Sequence, residues 1–271
     1  MKFRTAAFLL ILTLLGLAGC SANRFTAYRK ISGFRPWNRL DFSGSYDKAL
    51  SDPRSGTIFA MRKDTQEIHI FRGGQRINVI GGLGFERTNF QRLSDIGVDS
   101  DGGLLALDSA QKILRKYTPE GGVVAELSFS DLRQPELFCV GQDGTLFLYD
   151  AATTEIVCYS QLDNSELYRF PRFVLEQPVW ISCNHDYVFS YSQVKGQTDV
   201  FYILGQYKET LAGQVLFDPF NNPIRTGDVV PVYVSTLPKL LSLNSETLVL
   251  LYDNYIQTYR IDYERGADAT Q

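Results

Sequence analysis

The feature that most constrains the fold of this 271-residue chain is a unit of four short apolar runs that recurs about every 42 residues. Residues 93–129 show the unit best, because only tight polar turns rich in glycine separate their four runs. Four such strands form an antiparallel meander, which buries both faces only when further copies pack beside it. The sequence therefore predicts an all-β fold, and a repeat of this length and strand number is typical of the blades of a β-propeller.

The position that opens the second strand of each unit gives the number of blades. This position holds Gly56, Gly102, Gly144, Asp186 and Thr247, which are 46, 42, 42 and 61 residues apart. We predict five blades within residues 41–264. Six blades is the alternative, if residues 35–50 and the long insertion contribute full strands. The wide last spacing places that insertion at residues 205–236, which are rich in turn-forming residues.

The last unit offers only three strands before the polar segment 265–271, which we expect to be a disordered tail. Residues 26–34 are able to supply the missing strand. A ring closed in this way leaves no exposed sheet edge at either end. We therefore predict that an N-terminal strand closes the propeller.

The second and third units share a (D/G)xLxxxD core, followed by a strand that ends in Tyr117 or Tyr159. This pattern resembles the NHL-type repeat of six-bladed and related propellers. The resemblance covers residues 95–170 well and the other units more loosely, since Arg62 and Ser192 replace the usual acid. A repeat this generic implies the fold and carries no particular activity.

The first 20 residues have the features of an export signal. Lys2 and Arg4 precede an uninterrupted apolar run, and small residues stand just before Cys20. The run has about a dozen residues, whereas a membrane-spanning helix needs about 20. The segment resembles the bacterial lipoprotein signal. The resemblance implies that residues 1–19 are removed by cleavage between Gly19 and Cys20, and that Cys20 carries a diacylglyceryl thioether.

Residues 20–40 follow as a lipidated tether that is basic and lacks acids. Its cations are Arg24, Arg29, Lys30, Arg35 and Arg39. Each cation near anionic headgroups contributes about 1 kcal/mol to membrane binding. We therefore predict a membrane-anchored lipoprotein of the bacterial cell envelope that faces the periplasm or the exterior. A solvated linker that pairs with the last blade is the alternative, and both descriptions can hold together.

Charge and cysteine content limit the partners and the redox chemistry. Acidic side chains outnumber basic ones by 30 to 27, which argues against a nucleic-acid partner. Cys139, Cys158 and Cys183 each lie in an apolar strand pattern. A disulfide needs Cα atoms within about 7 Å, and these residues fall on different predicted strands. We expect three buried thiols, with one disulfide as the alternative.

Signatures of catalysis are absent from the sequence. It contains no GxSxG elbow, HExxH, GxxxxGK(S/T) or CxxC motif. His185 lies in a turn and His69 on the outward side of its strand, without a partner at zinc-ligand spacing. We therefore predict no catalytic residue, no metal site and no cofactor.

Several aspartates near the inner strands offer the one route to metal chemistry. Some propeller hydrolases and lactonases ligate a divalent cation there through oxygen atoms. An aspartate in a tight turn also has a structural role, because it accepts backbone hydrogen bonds. The aspartates concerned are Asp99, Asp101, Asp143 and Asp186, with Asp108, Asp150 and Asp253 at strand ends.

Aromatic residues are numerous, with 18 Phe and 15 Tyr, and most fall on predicted strands. Five lie instead on predicted loops: Phe85, Phe90, Phe217, Phe220 and Tyr233. Exposed aromatic residues on irregular loops are typical of binding surfaces. We therefore predict that these five contact a protein or saccharide partner, with packing over the blade edges as the alternative. The leading hypothesis is a non-catalytic lipid-anchored propeller. The competing one is a propeller hydrolase, lactonase or lyase with an oxygen-ligated metal in the central channel.

Overall fold

The computed structural model describes residues 29–84, 86, 88–118, 120–141, 143–160, 165–171, 175–230, 237–244 and 246–264. Within these residues the chain forms five four-stranded antiparallel sheets and one two-stranded sheet. The sheets are arranged as the blades of a β-propeller, which confirms the predicted all-β class and five blades.

Each blade is a meander that runs outward from the channel. Blade 1 contains β2 (Lys48–Ser51), β3 (Ile58–Arg62), β4 (Glu67–Arg72) and β5 (Gln75–Gly81). Blade 2 contains β6 (Leu93–Val98), β7 (Leu104–Asp108), β8 (Ile113–Tyr117) and β9 (Val123–Ser128). Blade 3 contains β10 (Pro135–Val140), β11 (Leu146–Asp150), β12 (Glu155–Tyr159) and β13 (Glu166–Phe170). Blade 4 contains β14 (Pro178–Cys183), β15 (Tyr187–Ser192), β16 (Gln197–Tyr202) and β17 (Tyr207–Ala212). Blade 5 contains β20 (Leu240–Asn244), β21 (Thr247–Leu251) and β22 (Tyr255–Tyr263), with β1 (Ile31–Asp41) at its outer edge.

The core of the molecule lies between the blades. Every residue of β7, β11 and β21 is buried, because the second strand of a blade is covered by a neighbouring blade on both faces. The outer strand β9 is mostly exposed. Separate hydrophobic clusters fill the interfaces between successive blades. Stability of the ring therefore depends on face-to-face packing of one blade on the next.

The strand β1 closes the ring, as the sequence predicts. It pairs antiparallel with β22, with Ile31 opposite Tyr263 and Asp41 opposite Tyr255. The strand is longer at its C-terminal end than the expected segment 26–34, of which residues 26–28 lie outside the described residues. Pro36 does not end it, because β1 is an edge strand and its outward side needs no backbone donor. Residues 35–41 therefore belong to blade 5, and no sixth blade forms from them.

The insertion between blades 4 and 5 is a structured wedge, which we define as residues 213–230. It contains a hairpin of β18 (Val215–Phe217) and β19 (Pro223–Arg225), then the single helical turn α1 (Thr226–Val229). Leu216 and Ile224 are fully buried in the cluster shared by blades 4 and 5. The side-chain amide of Gln214 donates to the carbonyl of Leu241 at 2.9 Å and accepts from its N–H at 3.1 Å. The wedge therefore packs its two-stranded sheet between blade 4 and blade 5.

The extra segment is shorter than the expected 205–236. Tyr207–Ala212 forms the outer strand of blade 4, so the excess over one repeat begins after Ala212. Residues 231–236, which include Tyr233, lie outside the described residues. No helix among the residues that the structure describes is long and apolar enough to cross a membrane.

Candidate functional site

The strand-ending aspartates hold the blades together. Asp108 is fully buried, and its carboxylate accepts hydrogen bonds from four backbone N–H groups, those of Gln91, Arg92, Ala110 and Gln111. Asp150 repeats the arrangement in blade 3 with the N–H groups of Arg133, Gln134 and Ala152. Each carboxylate thus joins the segment entering a blade to the turn after its second strand. A carboxylate used in this way is not free to ligate a cation.

The remaining aspartates also have partners of their own. Asp99 contacts the ammonium of Lys116 at 2.5 Å, and Asp253 contacts Lys239 at 2.6 Å. Asp143 accepts from the N–H of Thr145, and Asp186 accepts from the side-chain amide of Asn221. Asp101 is exposed, and its carboxylate lies 3.7 Å from Lys116. Among the described residues, no group of three His, Cys, Asp or Glu side chains is placed to hold a metal ion. The oxygen-ligated metal of the competing hypothesis therefore does not fit these residues.

A cavity of about 460 Å³ lies at the mouth of the channel. All five inner strands contribute to its wall, and Phe217 and Pro219 of the wedge complete it. The turns joining the first and second strands of the blades surround it, so it opens on one face of the ring, which we call the cavity face. Its wall combines the aromatic rings of Phe138 and Trp180 with polar groups, among them Lys48, Ser182, Ser242 and Asn244.

Lys48 and Asp95 form an ion pair in the cavity wall. The ammonium of Lys48 lies 2.7 Å from Oδ1 of Asp95, and both side chains are buried. Lys48 lies on the inner strand of blade 1 and Asp95 on that of blade 2. No motif in the sequence links the two positions. The only signal is that each places a charge in an otherwise apolar inner strand.

The three cysteines are free thiols, as expected. Cys158 is buried, whereas Cys139 and Cys183 are half-buried and both line the cavity. Burial raises the pKa of the Cys139 thiol well above its ordinary value of 9.0, and the neighbouring thiol of Cys183 adds to the rise. The expectation of complete burial therefore holds for Cys158 alone.

Three of the five predicted contact aromatics are described, and all three pack inward. Phe90 is fully buried, with its ring edge-on to Tyr117, so the prediction that it is exposed is wrong. Gly81 makes this possible, because a Cβ there would lie 2.5 Å from the Phe90 ring. Phe217 is half-buried and stacks on Phe189 at 4.7 Å between ring centroids. Phe220 is half-buried against Tyr263 at 5.0 Å. Phe85 and Tyr233 lie outside the described residues.

Four of the five predicted membrane-contacting cations are described, and all four are exposed. Arg35 pairs with Asp262 at 3.0 Å, and Arg39 pairs with Asp41 at 2.9 Å. Arg29 lies over the ring of Phe220, and Lys30 immediately precedes β1. Arg24 lies outside the described residues, as do Gly19 and Cys20. Membrane contact by this segment stays a prediction.

The fold and the cavity define the chain as a five-bladed β-propeller with a recess at one mouth of its channel. No protein-family model matches the chain, and no curated protein matches it. The resemblance to NHL-type repeats and to lipoprotein signals therefore stays a prediction.

Solved structures of similar fold do exist. The chain is similar to a streptogramin B lyase, with 14% identity and a TM-score of 0.53 over 85% of this chain and 88% of the other. It is also similar to a catalytically inactive virginiamycin B lyase from Staphylococcus aureus with quinupristin. That match has 10% identity and a TM-score of 0.52 over 80% of this chain and 81% of the other. At these identities the likeness shows a shared fold and no shared activity.

Proposed function

We propose that this protein is a non-catalytic, lipid-anchored β-propeller of the bacterial envelope that binds a protein or saccharide partner at the cavity face. The observation that carries the proposal is the cavity of about 460 Å³, a preformed recess to which every blade contributes. Recesses of this size with a few convergent polar groups are the usual form of a ligand site. Rigid scaffolds commonly place recognition on such loop-bordered surfaces.

The wall of the cavity supports a partner with both flat apolar and hydroxyl or amide groups. Phe217 supplies aromatic surface, since Trp180 and Phe138 are almost fully buried, and Ser182 and Asn244 supply hydrogen-bonding groups. A sugar ring or an extended peptide presents this combination. Phe217 enters the proposal as part of the cavity wall, since it packs on Phe189 instead of projecting from a loop.

The neighbours named as lyases keep an enzymatic role as the second candidate. The fold is the only basis for that role. Chemistry through an oxygen-ligated metal would need the channel aspartates to converge, whereas the described ones contact backbone N–H groups, lysines or, for Asp186, the side-chain amide of Asn221. We therefore favour binding over turnover.

A binding screen with matched variants tests the proposal. The soluble domain would be screened against envelope glycans and peptides, using Arg54→Gln and Phe217→Leu as variants at the cavity. Val194→Ser is the control, because Val194 is 75% exposed on the turn between β15 and β16, away from the cavity face. A ligand whose affinity falls at least about tenfold in the cavity variants, a loss of roughly 1.4 kcal/mol, and is kept in the control supports the proposal. The proposal is refuted if the ligands bind both cavity variants with unchanged affinity, or if they are converted to products.

The anchoring part of the proposal rests on the sequence around Cys20 and has its own test. Cys20→Ala removes the thiol that would carry the lipid, and we expect an unprocessed or soluble form. Fractionation of cells followed by mass measurement of the N-terminal peptide would show this. A variant that is still cleaved and wholly membrane-bound would disprove lipidation at Cys20.

A further inference from the structure

A second cavity, of about 450 Å³, lies on the opposite face of the ring. It is found where the chain passes from β1 into blade 1, between the closing blade and its neighbour. Phe42 and Tyr46 border it from this connection, Arg62 from the end of β3, His69 and Phe71 from β4, and Arg76 from β5. None of these residues takes part in the cavity of the proposed function.

Three side chains at this second cavity form a hydrogen-bonded chain. The hydroxyl of Tyr46 lies 2.7 Å from Nδ1 of His69, and Nε2 of His69 lies 3.2 Å from a carboxylate oxygen of Glu67. An ionised carboxylate only accepts, so we assign the imidazole proton to Nε2, and Tyr46 then donates to Nδ1. Both Tyr46 and His69 are buried, which makes the expected outward position of His69 wrong.

The ionisation of the two outer groups agrees with this arrangement. Burial raises the pKa of Tyr46, although Arg62 and Arg76 act in the opposite direction, so the phenol stays protonated and keeps its donor role. Partial burial acts to raise the pKa of Glu67, but hydrogen bonds from Thr65 and His69 hold it below its ordinary value. These hydrogen bonds therefore run from a carboxylate through an imidazole to a phenol.

The side chains that line this cavity carry two guanidinium groups, those of Arg62 and Arg76, and one carboxylate, that of Asp41. Arg62 is paired with Asp64 at 2.7 Å, and the rim carboxylate of Asp41 is paired with Arg39 at 2.9 Å. Arg76 is exposed and forms no ion pair or side-chain hydrogen bond with the residues that the structure describes. Among the described residues, the guanidinium of Arg76 thus has no carboxylate at ion-pair distance, although it acts electrostatically on Tyr46. An anion is the ligand that this surplus attracts.

The geometry of the aromatic rings does not form a cage for a cation. The rings of Phe42 and Tyr46 pack edge to face, at 4.6 Å between centroids and 81° between planes, and Tyr46 packs on Phe71 at 89°. A cation cage needs ring faces turned toward a shared space. These rings instead form one apolar wall, which suits the carbon skeleton of an organic anion.

We propose that this second cavity binds a small organic oxyanion, a carboxylate or phosphate monoester carried on an apolar group. Arg76 forms the ion pair, and the wall of Phe42 and Phe71 contacts the apolar part. The imidazole of His69 lines the same cavity, so its surroundings change when the oxyanion binds.

The protein offers a direct reporter of binding at this cavity, because its sequence contains only two histidines. Imidazole NMR signals of ¹⁵N-labelled protein would be followed during titration with benzoate, phenyl phosphate and acetate, with His185→Gln assigning the His69 signals. We expect saturable shifts of His69 with benzoate or phenyl phosphate, and weaker binding of acetate, which lacks the apolar group. Whichever of the first two binds identifies the oxyanion.

Matched variants separate this site from general charge effects. Arg76→Gln should weaken binding about tenfold, as expected for loss of a charge-assisted contact. Arg35→Gln removes an exposed arginine from β1 and should leave binding unchanged. Tyr46→Phe removes the hydroxyl but keeps the ion pair and should still bind, and thermal melts would verify that each variant folds. Absence of saturable shifts, equal affinity in Arg76→Gln, or shifts produced by tetramethylammonium instead would overturn the proposal.

Discussion

The carboxylate of Asp95 links three blades, since one oxygen lies 2.7 Å from the ammonium of Lys48 in blade 1 and the other accepts the N–H of Phe138 in blade 3 at 3.0 Å. Asp95 itself lies on the inner strand of blade 2. The contact is almost wholly shielded from solvent, because the side chain of Asp95 is 1% exposed and that of Lys48 is 9% exposed. A single side chain thus sets the spacing of neighbouring inner strands.

Removing one charge of the pair of Lys48 and Asp95 should lower the free energy of unfolding much more than removing both charges. Asp95→Ala leaves a buried ammonium without a counter-charge, and we expect a loss of about 3–5 kcal/mol in the free energy of unfolding. The double variant Lys48→Met with Asp95→Leu removes both charges at similar volume, and should recover more than half of that loss. Urea denaturation of the three proteins measures both effects. Equal instability of the single and double variants would contradict this account.

The buried carboxylate of Asp108 should be essential to the fold, in contrast to an exposed aspartate nearby. Asp108→Ala leaves four backbone donors without their acceptor, and a buried donor left unsatisfied costs about 1–3 kcal/mol. We expect a total loss of at least about 3 kcal/mol, since some of the donors will find water. Asp101→Ala is the control and should change stability by less than about 0.5 kcal/mol. Similar denaturation midpoints for the two variants would show that Asp108 has no such role.

Ring closure by β1 can be tested by truncation. A chain that begins at Arg29 keeps the whole of β1, whereas one that begins at Ser43 lacks it and leaves β22 as an unpaired edge over Ile256 and Ile261. We expect the shorter chain to melt more than about 10 °C lower, since several kcal/mol of strand pairing and burial are lost. Calorimetry of the two truncations gives the comparison. Identical melting temperatures would mean that β1 is a dispensable strand.

Alkaline pH should destabilise the propeller. Burial raises the pKa of Cys139 above 9.0, and burial together with the hydrogen bond to Asp131 raises the pKa of Tyr159 above 10.0. The folded state therefore favours the protonated forms, and their contribution is fully present below the unfolded pKa values and lost as the pH rises above them. We expect the free energy of unfolding to fall between about pH 8 and pH 11. Cys139→Ala should flatten part of that slope in urea titrations, and an unchanged slope would exclude Cys139 as a source.

The repeat could be recognised from the sequence because its signals are local. Gly102 and Gly144 both adopt a positive φ in the turn before a buried second strand, so the same residue recurs for the same geometric reason. The wedge could not be recognised in this way. Its place between blades depends on the Gln214 amide reaching the backbone of Leu241, and no local pattern encodes a side chain that pairs with a distant strand.

In the candidate sites, too, local sequence patterns predict some contacts, whereas contacts between distant parts of the chain are seen only in the structure. Glu67 and His69 are two residues apart on one strand, and side chains at this spacing point to the same face of a sheet. The sequence alone therefore predicts that the two lie side by side. Tyr46 contacts His69 from the connection between β1 and β2. The path of that connection depends on the pairing of β1 with blade 5, which local sequence does not reveal. The loop position of Phe90 predicts exposure, whereas the absence of a side chain at Gly81 lets the ring enter the core. Spacing identified the strand-ending aspartates, but only the structure shows which backbone donors they accept.

The direction of β1 fixes the face of the ring on which this strand begins. Ile31 lies opposite Tyr263, the end of the third strand of blade 5, and the carbonyl of Arg29 accepts from Asn222 of the wedge. The chain therefore enters the ring on the cavity face. Nine peptide units separate Cys20 from Arg29, and fully extended they reach about 30 Å at most. With lipid on Cys20, the point where the chain enters that face would stay within about 30 Å of the bilayer.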